Sequence, residues 1–269
     1  MPIRPGLLSI LLSLAVLPAW GGPAVKVDLI CDTDSVQPGS PLRVGLRFEL
    51  QEHWHIYWRN PGDSGMPPQV RWKLPAGFRA GEIQWPAPER LGSGSVIDFG
   101  YPESVVLPVE IQTPANALEA GGTLTVSAEV SWLACKDVCV PGRAEVALSL
   151  PVRMVPRPAP ESHALLQEAG SRLPKPLPSG WKAGAVSEKE AFVITVLGAR
   201  EAKAWFFPFE SDQIDHAAPQ TAASVPGGVR LTLRKSGQLA RAPARLEGVL
   251  RLGSGVAYAV SVPVQTISP

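Results

Sequence analysis

Three cysteines, Cys31, Cys135 and Cys139, are the residues of this 269-residue chain best suited to chemistry. Two of them lie in Ser131-Trp132-Leu133-Ala134-Cys135-Lys136-Asp137-Val138-Cys139-Val140-Pro141-Gly142, four residues apart where a strand pattern gives way to a turn. A short loop brings Cα atoms within the ~4.4–6.8 Å that a disulfide spans. So small a loop removes little chain entropy, which makes such a bridge a weak staple and a candidate for reversible redox work. A permanent structural bridge is a second reading. Soft-metal ligation is a third, since paired thiolates select Cu(I) or Zn(II). Spacing alone leaves all three open. Lys136 favours a neighbouring thiolate and Asp137 opposes one. There is no C-x-x-C, so thioredoxin-type chemistry within the chain is not supported. Cys31 is unpaired by count and reads as a small buried hydrophobe on the first strand. His55 and Tyr57, two residues apart, fall on one face of their strand. His55 reads either as a group that tunes a thiolate or passes a proton, or as a plain surface or core histidine. His53 and His55 resemble a metal pair, but no Glu or His partner at helical spacing completes a zinc site, and no metal is expected.

The elements that position these residues must be strands. The chain holds 29 Pro and 25 Gly, about a fifth of its length, where average usage gives roughly 12%. Helix interiors tolerate neither residue, so a mainly helical protein is excluded. An apolar fraction of 45% argues against wholesale disorder. Formal net charge is +1 without charge blocks, which leaves no electrostatic footprint for nucleic acid or for a membrane surface.

Arg4, the apolar stretch Leu7–Leu17 and the small residues around Gly21 and Gly22 predict a cleaved signal peptide over residues 1–22, too short to span a bilayer. The mature protein is expected to be exported, into a bacterial periplasm, where disulfides are permitted. Short alternating runs separated by turn residues predict strands at Val25–Cys31, Leu42–Leu50, Trp54–Trp58, Val70–Leu74, Glu82–Trp85, Val105–Ile111, Leu124–Trp132 and Ala144–Val152. Asn60-Pro61-Gly62-Asp63 reads as a turn between two of them. The fold expected is all-β, an immunoglobulin-like antiparallel β-sandwich over residues 23–154. A Pro-rich linker with a short helix at Glu161–Leu173 follows over 155–180. A second, smaller β domain over 181–269 carries strands at Trp181–Val186, Ala191–Leu197, Ala204–Phe207, Gly228–Leu233, Ala244–Leu252 and Val256–Val264. It shows no catalytic constellation, and its aromatic run Trp205-Phe206-Phe207-Pro208-Phe209 reads as core.

The block His53-Trp54-His55-Ile56-Tyr57-Trp58-Arg59-Asn60-Pro61-Gly62-Asp63-Ser64-Gly65, then Ile97-Asp98-Phe99-Gly100-Tyr101 followed by Val105–Val109, then the stretch Leu124–Leu150 with its cysteine pair resemble, in that order, the N-terminal periplasmic domain of the DsbD and ScsB thiol–disulfide reductases. The His53–Gly65 block is similar to the ScsB-like branch. The resemblance covers roughly residues 25–155 and rests only on chain position beyond them. It implies an immunoglobulin-like domain whose pair Cys135 and Cys139 shuttles electrons without a bound cofactor. A membrane electron donor of the DsbD/ScsB type would reduce the pair, and thioredoxin-like or isomerase-like periplasmic proteins would be its clients. The resemblance also implies a mobile cap over the sulfurs formed by Asp98, Phe99, Gly100 and Tyr101, with Phe99 as the apolar lid and Gly100 as its hinge, and Tyr57 beside the pair. Two features depart from the family pattern. The C-x3-C spacing is shorter than in the enteric DsbD domain. The membrane region and thioredoxin-like domain of full-length members lie outside residues 1–269, which implies a separate electron donor or a longer parent chain.

Overall fold

The computed structural model describes residues 24–92, 94–115, 121–201 and 203–266; the predicted signal peptide over 1–22 lies outside them. Alternation dominates the first half. Val25, Leu29 and Cys31 of β1 (Val25–Cys31) and Leu42, Val44, Leu46 and Phe48 of β2 (Leu42–Leu50) are buried, as expected of strands with one face on a core. Further along the chain come β3 (His55–Gly62), β4 (Gln69–Lys73), β5 (Arg79–Ala80), β6 (Glu89–Leu91), β7 (Asp98–Pro102), β8 (Ser104–Gln112), β9 (Thr123–Cys135) and β10 (Cys139–Pro151). They form one sheet in the order β1-β2-β8-β5 and a second in the order β10-β9-β3-β7-β6, with β4 also pairing β9. The sheets face each other across an aromatic contact, Phe48 on β2 edge-on to Trp132 on β9 at 5.8 Å between ring centroids, a geometry favoured by the ring quadrupoles. The result is the all-β sandwich that the turn-rich sequence predicts.

Two departures concern the site. β9 and β10 run to 13 residues each, paired from Thr123↔Pro151 to Cys135↔Cys139, so the two cysteines are directly opposed at the tip of one long hairpin. Residues 98–101, expected as a mobile cap, lie in a strand, β7, that is hydrogen-bonded on both sides, to β3 and to β6. The Glu82–Trp85 run is not a strand; the short β5 and β6 lie on either side of it.

The Pro-rich segment is tied down along its length. Asp34 N donates to Arg157 O at 2.8 Å, and Ala159 N donates to Asp32 O at 2.9 Å. Helix α1 (Pro160–Ser171) starts with Pro in its first turn, where a missing N–H costs nothing. It buries Leu166 and Ala169 against Val106 of β8. The second half contains β11 (Lys175–Pro176), β12 (Lys182–Ser187), β13 (Ala191–Leu197), β14 (Ala204–Pro208), β15 (Thr221–Val225), β16 (Gly228–Arg234), β17 (Arg245–Leu252) and β18 (Ala257–Thr266). They connect in the order β14-β17-β18-β12-β13-β16-β15. Its own core gathers Phe192, Ile194, Phe206, Leu231 and Leu250. The alternation of β14 divides the aromatic run: Phe206 enters that core, whereas Phe207 joins the core of the first half together with Val249 and Ala257. Among the described residues no helix is long and apolar enough to cross a membrane.

Candidate functional site

Strand parity decides where the sulfurs lie. In β9 the buried residues are Leu124, Val126, Ala128, Val130, Trp132 and Ala134, so Thr125, Ser127, Glu129, Ser131, Leu133 and Cys135 share the outer face. Cys135 is nevertheless only 3% exposed, because β3 crosses the tip of the hairpin. Beyond the span where β9 pairs β4, it pairs β3 through His55↔Cys135 and Ile56↔Ala134. His55 and Tyr57 therefore flank the outer-face cysteine, while Ile56 turns into the core. Cys135 and Cys139 are joined in a disulfide with 4.1 Å between Cα atoms. Across the three-residue turn Cys139 is exposed, beside Val138 at 65% exposure and Val140 at 46%. One sulfur of the bond is reachable and the other is roofed.

The roof is Tyr57. Its hydroxyl donates to Cys135 Sγ at 2.8 Å and lies 3.6 Å from Cys139 Sγ. Burial pushes its pKa above the ordinary phenol value, the nearby Ser64 side chain works against the rise, and the nearby Asp98 charge adds to it. The hydroxyl therefore keeps its proton and remains a donor to sulfur. Gly65 packs on the flat of the ring: a Cβ there would sit 2.1 Å from the ring carbon Cζ. Ser64 donates through both its backbone N–H (3.0 Å) and its hydroxyl (2.9 Å) to Asp98 Oδ1. His55 stacks edge-on to Tyr57 at 5.2 Å, and its Nε2 lies 3.9 Å from Asp98 Oδ2. That nitrogen is buried without a hydrogen-bond partner. Burial lowers the His55 pKa, and the Asp98 charge offsets part of the effect, so the ring is neutral at neutral pH.

The four residues expected as a cap divide between the faces of β7. Asp98 and Gly100 share the side of Tyr57, whose strand partner is Gly100. Phe99 turns to the other side. It is 1% exposed, and its ring packs edge-on against Phe207 at 5.1 Å and His216 at 4.8 Å. The expected lid over the sulfurs is thus a core residue, because neighbours on a strand point to opposite faces. Tyr101 follows Phe99 inward and donates its hydroxyl to Pro86 O at 2.7 Å. Gly100 has no hinge conformation; it is glycine because a Cβ would sit 2.2 Å from Ile56 O. His53 is exposed beside Glu52 and does not join His55. Cys31 is buried on β1 of the opposite sheet, its pKa raised by burial. Among the described residues no cluster of three or more His, Cys, Asp or Glu is arranged to hold a metal. Sequence reasoning gave no role to Ser64 and Gly65, which entered only as the end of the His53–Gly65 block.

The family model described as "Thiol:disulfide interchange protein DsbD, N-terminal" matches residues 25–151. The crystal structure of the N-terminal periplasmic domain of ScsB from Proteus mirabilis aligns with a TM-score of 0.62 at 14% identity, covering 89% of this chain and 91% of that one. Its fold therefore extends over both halves. The BcpA pilin subunit of Bacillus cereus (TM-score 0.30, 10% identity, 90% and 68% coverage) and the YadV chaperone (TM-score 0.23, 11% identity, 88% and 99% coverage) align too loosely to bear on function. No curated protein matches the chain.

Proposed function

Residues 25–151 belong to the family of DsbD N-terminal domains, and from that premise we propose that the chain is a periplasmic thiol–disulfide relay. It takes two electrons from a membrane reductase of the DsbD/ScsB type and passes them to oxidised thioredoxin-like or isomerase-like proteins of the same compartment. Residues 23–154 carry the exchange and residues 181–269 form an accessory β domain. The observation that supports this reading is the asymmetry of the disulfide: Cys139 is open to a visitor, while Cys135 lies beneath a phenol hydroxyl.

On this reading the steps follow the asymmetry. A donor thiolate attacks Cys139 Sγ, the Cys135–Cys139 bond breaks, and its electron pair leaves on Cys135. Tyr57 donates to the departing thiolate, a charge-assisted hydrogen bond. A second donor thiol then resolves the mixed disulfide, leaving donor oxidised and both cysteines reduced. In the client half, Cys139 thiolate attacks the client disulfide. Cys135 then displaces the client from Cys139, which reforms the bond and releases a reduced client. His55, neutral and directly opposite Cys135, accepts the proton that Cys135 loses before that second attack. Thiols suffice throughout, so no cofactor is required.

Trapping tests the assignment. Cys135→Ser leaves the attacking thiol without its resolver and should accumulate a mixed disulfide with a client in cells. Cys139→Ser should trap none. The opposite pattern, or no trapped species in either variant, would sink the reading. A permanent structural bridge is tested separately, since an exchanging pair should have a potential well above about −300 mV.

A further inference from the structure

The accessory half touches the redox half at the segment that shapes the roof. Strand β3 leaves regular pairing between Tyr57 and Gly62, so residues 58–61 bulge from their pairing with β7 before Gly62 meets Asp98. Asn60, 1% exposed in that bulge, donates through Nδ2 to Pro208 O at 2.8 Å and to Glu210 O at 3.2 Å, and accepts from Gly62 N at 3.1 Å. Trp58 packs against Phe207 and Phe209, with ring centroids at 6.4 and 5.8 Å. Asp63 accepts from His216 Nδ1 at 2.8 Å and, through its other oxygen, from Ile97 N at 2.8 Å. The chain then proceeds directly to Ser64, which is bonded to Asp98, and to Gly65, which is flat against the Tyr57 ring.

The segment is therefore fixed by the first half at one end and by the second half in its middle. Nothing about a β-bulge requires a second domain to hold it, and a buried polar side chain costs free energy unless paired. Here buried Asn60 finds its partners at Pro208 and Glu210, and buried His216 finds its partner in Asp63. We propose that the accessory β domain serves as a clamp on the relay site: through Asn60, Asp63 and His216 it holds the 58–65 segment so that the Tyr57 hydroxyl stays on Cys135 Sγ. Asn60, Asp63 and His216 are positioning residues, acting through Tyr57 and touching neither sulfur nor client. The inference rests on the exchange reading for its purpose, but its test needs no client.

The test follows reduction of the Cys135–Cys139 bond by dithiothreitol in the full chain. The dithiothreitol thiolate attacks Cys139 Sγ, Cys135 leaves with the bonding pair, and the second dithiothreitol thiol completes the transfer. His216→Ala and Asp63→Ala break the clamp from opposite sides, each made in the wild-type and in the Tyr57→Phe background. Asp63 is about a third exposed, so its truncation should disturb packing less than removal of the buried imidazole, and where His216→Ala does not fold Asp63→Ala decides alone. Either variant should slow reduction roughly tenfold, the scale of losing a hydrogen bond to a charged group. Neither should slow it further once Tyr57 is Phe, because both losses act through one hydroxyl. An unchanged or faster rate overturns the clamp, as does an equal slowing in the Tyr57→Phe background. A trapped client with an unchanged dithiothreitol rate defeats the clamp alone. A slowed, Tyr57-dependent rate with no trapped client defeats the relay reading alone.

Discussion

At the residue scale the site reduces to a proton held in place. Tyr57 is kept protonated by burial, and its only sulfur contact short enough for a firm hydrogen bond is to Cys135. Tyr57→Phe removes that donor with little change of shape. A hydrogen bond to a charged acceptor is worth about 1.5–3 kcal/mol, so the thiolate of the reduced pair should be less stable. The pair's potential in a glutathione titration should fall by about 30 mV for each tenfold in the exchange constant. An unaltered potential would show that the hydroxyl merely fills space. His55 bears on stability. Its folded pKa lies below the ordinary value of 6.5 because burial penalises the charged ring. As pH falls through 6.5 the unfolded chain takes up the proton first, so this contribution is full above 6.5 and is lost as pH drops towards the lowered value. Urea unfolding at about pH 7.5 and pH 5 should show a smaller acid loss for His55→Gln than for wild type. The chemistry of Cys135 and Cys139 was legible from spacing and resemblance, since thiols announce themselves by type. The roles of Ser64 and Gly65 were not, because nothing in a Ser-Gly pair says that one anchors Asp98 and the other floors an aromatic ring.

Elements explain why some of the reading held and some failed. The ends of β1 and β2 coincide with the alternation in Val25–Cys31 and Leu42–Leu50, where every second side chain is apolar. In residues 98–102 the alternation is only two aromatics long, Phe99 and Tyr101, and it is interleaved with an aspartate, a glycine and a proline, the residues of turns. The segment is nonetheless a strand because β3 and β6 claim its backbone from both sides. Tertiary pairing overrode local propensity there, as it commonly does in sheets. The consequence for Gly100 can be measured. Its Cα lies so close to the neighbouring strand that a methyl would meet Ile56 O at 2.2 Å. Gly100→Ala should therefore destabilise the fold by about 1–3 kcal/mol in urea unfolding. A variant of normal stability but altered reactivity would instead restore the hinge. The same logic applies to the hairpin. Polar outer positions on β9 hid its full length in sequence, and only the register Cys135↔Cys139 shows that the sulfurs face each other at its tip.

At the scale of the whole molecule, the decisive feature is that the core of the first half takes in side chains from the second. Phe207, Val249 and Ala257 lie in one buried cluster with Trp58, Phe99 and Tyr101, and Asn60 spends both its amide hydrogens on carbonyls some 150 residues away in sequence. A sequence reading places a boundary in the Pro-rich stretch, and composition does change there. What composition does not reveal is that Phe206 and Phe207 serve different cores, a distinction made by strand parity and visible only once β14 is seated on β17. Packing shared in this way makes unfolding cooperative across the seam. Loss of the second half would expose Phe99 and Trp58 and orphan Asn60 together. The chain should thus unfold in urea as a single transition, with tryptophan fluorescence and circular dichroism coincident. Phe207→Ala should lower its stability by about 3–5 kcal/mol and should move the signal of Trp58, in the other half, by the same amount. Two separate transitions, with only the later half of the chain sensitive to Phe207→Ala, would mean that the halves fold independently and that contact between them is too weak to hold the roof over Cys135.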